Sequence, residues 1–416
     1  MRRLAAAAIV AVLVSSAGRV GAEAPAIDSG AQAYRALAAG LDGEQRQRFL
    51  AGRDLFDTRW VIFWFEHGEW GAGPTFNAKG CGECHAGNGR GAAVPSGDGV
   101  HQMIVRLSLP GANAIGGPVP DPIYGDQLQT RGVQGVVSEE GGVALSWIES
   151  ALSMADGEVI ALRRPGIALR DLRFGPIGAS VLTSARAAPA LVGMGLLDAV
   201  PDGAIVALAA REPVDGIRGR PNVVWDYATR RSAIGRFGHK ATHPTLRQQI
   251  AAAFSADIGV SSDYFPDQNC PGPQSDCRDL MPAGKPELGQ VRWAALEIFL
   301  RASDVPPRRD VDDPAVRRGE RLFAGARCSV CHRTELKIGA VPGVALHGSV
   351  AARPGRGSRG RASRFSGERA RMAHRAAVGD RPHAGSQRRG HLSPRRKGTQ
   401  PHRSDSVARR RSPRLA

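Results

Sequence analysis

The 416-residue chain is poor in aromatic residues (5%) and in long apolar runs. A bilayer-spanning helix takes about 20 consecutive apolar residues, and the run Leu4–Val14 falls short of that, so no membrane span is expected. Charge excess is also missing from most of the molecule. Residues 1–346 hold 37 basic and 36 acidic groups, which excludes an electrostatic nucleic-acid surface there. Nearly all of the net charge of +17 sits in residues 347–416, where 19 Lys and Arg face 3 Asp and Glu. No cysteine lacks a neighbour: the six fall into the pairs Cys81/Cys84, Cys270/Cys277 and Cys328/Cys331. No βαβ pattern surrounds the CxxC pairs, which argues against a thioredoxin-like dithiol.

What is there begins with an export signal. Arg2 and Arg3 precede the apolar run, and small residues ending at Val20-Gly21-Ala22 form a plausible cleavage site. Residues 1–22 are therefore expected to be removed on passage to a bacterial periplasm, where thiols are oxidised or ligated.

Two of the cysteine pairs are followed at once by histidine, in CGECH (81–85) and CSVCH (328–332). C-x-x-C-H is the c-type haem attachment signature. Two thiols three positions apart on one turn can each add to a haem vinyl group, leaving the next residue to aim its imidazole at the iron. Cys81, Cys84, Cys328 and Cys331 are then the attachment residues, and His85 and His332 the axial ligands. Zinc is the rival, since CxxC pairs also build tetrahedral sites. Against it stand the adjacent histidines, the export signal, and the 243 residues between Cys84 and Cys328, where a zinc ribbon has roughly 15–20.

A short internal repeat supports two related modules: GRDLF (52–56) precedes the first motif and GERLF (319–323) the second. In the second copy Asp313 caps and Pro314 opens a helix carrying Val316, Leu322 and Phe323 toward Cys328. The first copy has an extra WVIFWFEHGEWGAGPTFNAKG before Cys81, which holds Trp60, Trp64, Trp70, Phe63, Phe65 and Phe76. Such a cluster is usually core; the functional alternative is a haem wall. Between the motifs, Gly and Pro dominate and two helices are clear, one opening at Pro244 with Leu246, Ile250 and Phe254 on one face, the other spanning about 288–300. Cys270 and Cys277 flank a short Pro- and Gly-containing loop and are read as a structural disulfide, with redox-active thiols as the alternative.

Seven ordered blocks carry a family resemblance. They are GAGPTFNAKGCGECHAGNGRG (71–91), YGDQLQTRGVQG (124–135), LRRP (162–165), SARAAPALVGMGLLDAVP from Ser184, GRPNVVWD from Gly219, GRFGHKATHPTLRQQIAAAFSADIG from Gly235, and PPRRD before the second motif. With them the chain resembles the bacterial di-haem oxidoreductases, described as thiol oxidoreductases or peroxidases and distantly related to di-haem cytochrome c peroxidase. The resemblance covers about Gly52 to Gly343. It implies two covalently held haems, periplasmic electron transfer with a small cytochrome or cupredoxin as redox partner, and peroxide chemistry where a haem has an open distal side. Catalytic residues are not identified. Candidate sixth ligands are Met103, Met154, Met194, Met281, His101, His239 and His243, the last two being the pair to test first.

The resemblance stops near Val344, where Arg, Ser, Gly, Pro and Ala take over and cannot bury enough surface to fold. Either this is a genuine basic arm or the reading frame has changed, and a frame change is the expectation adopted. With permitted GC-rich codons, Ala370–Arg381 read one nucleotide later gives REWRTAPLWGIG, and 347–365 and 390–412 at the same offset also yield peptides resembling the family's C-terminal region. The expected organisation is a signal (1–22), a first haem module (23–130), a middle segment (131–304), a truncated second module (305–346) and an out-of-frame, disordered tail (347–416). The expected fold is mainly α, two cytochrome-c-like modules around an irregular middle with short strands. The second haem is expected to be exposed or lost, with activity impaired. A plain electron carrier is the alternative, and nucleic-acid binding through the tail a remote one.

Overall fold

The computed structural model describes residues 32–38, 40–63, 66–92, 97–98, 102–336 and 338. All of them belong to one unit, residues 1–373. The expected export signal (1–22) and the basic segment 347–416 lie outside the described residues.

Eight α-helices occur among them: α1 Gly43–Asp57, α2 Cys81–Cys84, α3 Met194–Asp198, α4 Asp202–Ala209, α5 Leu246–Ala253, α6 Ser275–Asp279, α7 Gln290–Ala302 and α8 Pro314–Gly325. Eleven strands accompany them: β1 Trp60–Val61, β2 Glu69–Trp70, β3 Thr75–Phe76, β4 Gly97–Asp98, β5 Met103–Ser108, β6 Arg131–Gly132, β7 Gly142–Ser153, β8 Val159–Arg170, β9 Leu182–Ala187, β10 Val223–Asp226 and β11 Arg231–Ile234. The fold is therefore mixed α and β, and the expectation of a mainly α chain is wrong. The error lies in the middle segment, where β7 and β8 form a twelve-residue antiparallel hairpin rather than loops. Pro165 and Gly166 argue against a strand at that place, but β8 is the outer strand of the order β4-β7-β8, where a missing N–H breaks no ladder. Pro165 lies opposite Trp147, whose ring carries the guanidinium of Arg163 at 4.6 Å. Only the base of the hairpin, at Val143, Ala144 and Leu145, is buried.

The main core is helical. Helix α1 starts on a capping box, with Asp42 and Gln45 each accepting from the other's backbone N–H, and packs against α7. The crossing is close at Gly52, where a Cβ would lie 2.0 Å from the carbonyl oxygen of Ala295. Around it Phe49, Phe56 and Phe299 meet edge to face or tilted, and Trp60 packs on Phe254. Helix α5 adds Leu246 and Ile250, with Phe254 just beyond its end, as the periodicity predicts. It begins at Leu246, two residues later than Pro244 suggests, because the cap is Thr245, whose side chain accepts from the Gln248 N–H. Cys270 and Cys277 form a disulfide with Cα atoms 5.6 Å apart, which tethers the short loop before α6.

Candidate haem sites

The first CxxCH follows α1 in space although not in sequence. The extra residues leave at Arg59 and return: the Trp60 N–H donates to the Lys79 carbonyl at 2.6 Å, and Gly80 sits so close to the Thr58 carbonyl that a Cβ there would be 2.6 Å from it. The insert is thus a loop whose ends meet. Of its aromatics, Trp60 and Phe76 are core, while Phe63 and Trp70 are exposed; Trp64 and Phe65 lie outside the described residues.

Helix α2 is a single turn carrying Cys81 and Cys84, both free thiols. Its end is held by the His85 N–H donating to the Cys81 carbonyl at 2.9 Å. The imidazole of His85 has its Nδ1 2.8 Å from the carbonyl oxygen of Pro189. A carbonyl only accepts, so Nδ1 carries the proton and Nε2 presents its lone pair. Burial lowers the His85 pKa, against smaller opposing contributions from the Pro189 and Gly89 backbone, and keeps the ring neutral as a metal ligand must be. Burial also raises the thiols, Cys81 to about 12 and Cys84 to about 11, with the carboxylate of Asp257 as the next contribution in each.

Asp257 reaches this place through a π-helical turn, Phe254–Ile258, that prolongs α5. Its carbonyl accepts from the N–H groups of Asn77 and Ala78, four and three residues before Cys81, and its side chain accepts from Gln127. On the other side the motif is stitched to the segment after β9. Gly91 N–H donates to Ala188, Leu191 N–H to Asn88, and Ala188 N–H to Gln102 just before β5. Periodicity and spacing locate Cys81, Cys84 and His85; nothing local signals Pro189, 104 residues from its imidazole.

The second motif forms a 3-10 turn, Cys328–Val330, where the first forms an α-helical one, and has much less around it. Helix α8 is capped by Asp313, whose carboxylate accepts from Ala315 N–H at 2.6 Å, and opens at Pro314 as read from the sequence. His332 N–H donates to Cys328 O at 2.9 Å, the counterpart of the bond in the first motif. Cys328 and Cys331 are free and half-buried. His332, however, is exposed, its ring 6.4 Å from that of Phe323. No residue of α8 is buried; Leu322 is 63% exposed and Phe323 37%. A cavity of ≈ 170 Å³ separates Cys331 and Arg333 from the end of α4 at Leu208 and Arg211. Leu336, in a small cluster with Val200 and Ile205, fastens this stretch down.

The candidate sixth ligands are scattered. Met154 and Met281 are exposed, Met103 begins β5, and His101 is outside the described residues. Met194 packs on the main core at the start of α3, five residues after Pro189. His243 pairs with Phe237 across a bridge, and its Nδ1 lies 3.4 Å from Gln248 Nε2, while His239 is half-buried nearby.

The residues at the first motif fit a haem c: two reduced thiols one turn apart and a neutral imidazole with Nε2 available. Among the described residues no three His, Cys, Asp or Glu side chains gather to hold a bare metal ion, whereas a porphyrin brings four nitrogens of its own. No curated protein and no solved structure matches the chain. A family model does, the one described as di-haem oxidoreductase, putative peroxidase, and it matches residues 15–351. A match over most of the chain's length shows the family, and the chain belongs to these di-haem oxidoreductases.

Proposed function

We propose that the chain is an exported c-type cytochrome of the peroxidase-like class, with a complete first haem site and an incomplete second one. The observation that carries this reading is the His85–Pro189 hydrogen bond, which leaves Nε2 for iron beside two free thiols. Cys81 and Cys84 would hold the haem by its two vinyl groups. When bound, the haem supplies one-electron chemistry at its iron. His85 would hold the iron through Nε2, the Pro189 carbonyl holds the ring and makes it a better donor, and the stitched loops on either side would restrict water. Electrons are exchanged with a small periplasmic cytochrome or cupredoxin.

The second site is proposed to be impaired because residues 347–416 are read out of frame. Three observations support this: the exposed apolar side of α8, the exposed His332, and the end of the family match at residue 351. Sequencing the gene around the codons for Val341–Ser349 tests the frame directly. The expected haem content, measured by pyridine haemochrome on protein matured in an export-competent host, is one per chain, lost in Cys81→Ala/Cys84→Ala. Two per chain would refute the impairment, and colourless protein would refute haem attachment altogether. Peroxide-dependent turnover of a reduced cytochrome is expected to be absent here; its presence in a chain with the frame restored would favour a peroxidase over a carrier.

A further inference from the structure

The geometry points to Arg186 as a carboxylate-binding residue of the first haem site, its guanidinium holding an ionised propionate of the porphyrin carried by Cys81, Cys84 and His85. This rests on haem attachment at that motif, as proposed above.

Arg186 lies on β9 opposite Ile104 of β5, and Ser184 lies opposite Arg106. Residues paired across an antiparallel ladder share a face, so Arg186 and Arg106 are diagonal neighbours on one side of the two strands. The other side carries Val105 and Leu107, buried in a separate apolar cluster with Tyr124 and Leu128. The two arginines differ in what they hold. Arg106 gives Nη2 to Asp126 at 2.5 Å and Nη1 to Gln127 at 2.7 Å. Arg186 has Nε and Nη2 shielded from solvent, and neither meets an acceptor among the described residues. A guanidinium stays charged at any physiological pH, and its burial next to a second cation is unfavourable for that charge. The site therefore asks for an anion.

The shape of the deficit identifies the anion. Nε–H and the near N–H of Nη2 are parallel donors on one edge of the guanidinium, the fork that takes both oxygens of a carboxylate. Its position fits the first haem. From Arg186 the chain passes the end of β9 into Ala188 and Pro189, the residues that hold Gly91 and His85. The thiol edge is served by other groups, since Arg106 is joined through Gln127 to Asp257, the carboxylate beside both thiols. Vinyl groups and propionates occupy opposite edges of the porphyrin, so the cation for the acid edge must be a different one from that near the sulfurs. The cation that acts on Cys84 is Arg131, not Arg186.

The test uses the full-length protein carrying its haem, with Arg186→Gln and Arg186→Lys variants. Two readouts are taken: the propionate bending band in resonance Raman spectra and the pH dependence of the haem midpoint potential. In the parent the potential is expected to be flat between about pH 6 and 8, because the fork keeps the propionate ionised. In Arg186→Gln the propionate band should shift and the potential should fall with rising pH across that range; Arg186→Lys should restore the flat profile while leaving the band shifted. Haem content identical to the parent, with band and profile unchanged in Arg186→Gln, overturns the proposal. If the glutamine variant does not accumulate, an unshifted band in Arg186→Lys overturns it. Colourless parent protein sinks both this inference and haem attachment; coloured parent with unresponsive variants sinks this inference alone.

Discussion

At the residue scale, the first site shows a division between what a motif can reveal and what only pairing across the chain supplies. The cysteines and His85 are legible because C-x-x-C-H is itself the haem-attachment signature. Pro189 and Arg186 are not legible, because strand β9 and the residues just after it bring them in from more than 100 positions away and nothing local marks them. Glu140 is another such case: it is 1% exposed, accepts from Gln129 N–H and Gln274 Nε2, each at 2.6 Å, and gives no sign of burial in the sequence. Desolvation outweighs those hydrogen bonds and pushes its pKa up to about 8, with Asp121 and Asp126 adding to the rise. A folded pKa above the unfolded one means that the folded state holds the proton more tightly. The stabilisation is therefore fully present below about pH 4.5 and is lost as pH climbs through about 8. Urea unfolding between pH 5 and 8 should show stability falling by on the order of 1 kcal/mol per pH unit from this group, and Glu140→Gln should flatten that slope. Equal slopes in parent and variant would show that Glu140 ionises normally.

At the scale of elements, the two repeat copies are the same helix in different company. Gly52 of the first copy lies against the backbone of α7, whereas Gly319 of the second has open space where a Cβ would go. Gly52→Ala is expected to cost roughly 1–3 kcal/mol through overpacking. Gly319→Ala should be neutral or gain about 0.5–1 kcal/mol from helix propensity. Denaturant midpoints of the pair would measure the asymmetry, and equal effects would contradict it. Helical elements were largely readable: α5, α7 and α8 lie within a few residues of the periodic stretches, since each has a strong cap or a single apolar face. The long β7–β8 hairpin was not readable. Most of it packs on nothing that would impose alternation, and an edge position tolerates the proline that elsewhere would break a strand. Even the insert before Cys81 conceals a simple arrangement, a closed excursion that puts α1 and the motif in the same order as α8 and its motif.

At the scale of the whole molecule, the charge is carried by a segment that shares nothing with the chemistry. Removing residues 347–416 takes away +16 of the net +17. The shortened chain is expected to lose salt-sensitive association with DNA, measured by gel shift from about 50 to 200 mM salt, where phosphate-driven binding falls steeply. Its visible spectrum and thermal midpoint should match the parent's; a large drop in either would mean that the tail supports the fold.

The contacts that secure the first motif come from Tyr34 and Asn77 through α5, Pro189 and α7, all upstream of Ser303. A change to the chain beyond that position leaves those contacts in place, so it is expected to spare the first motif while altering the second.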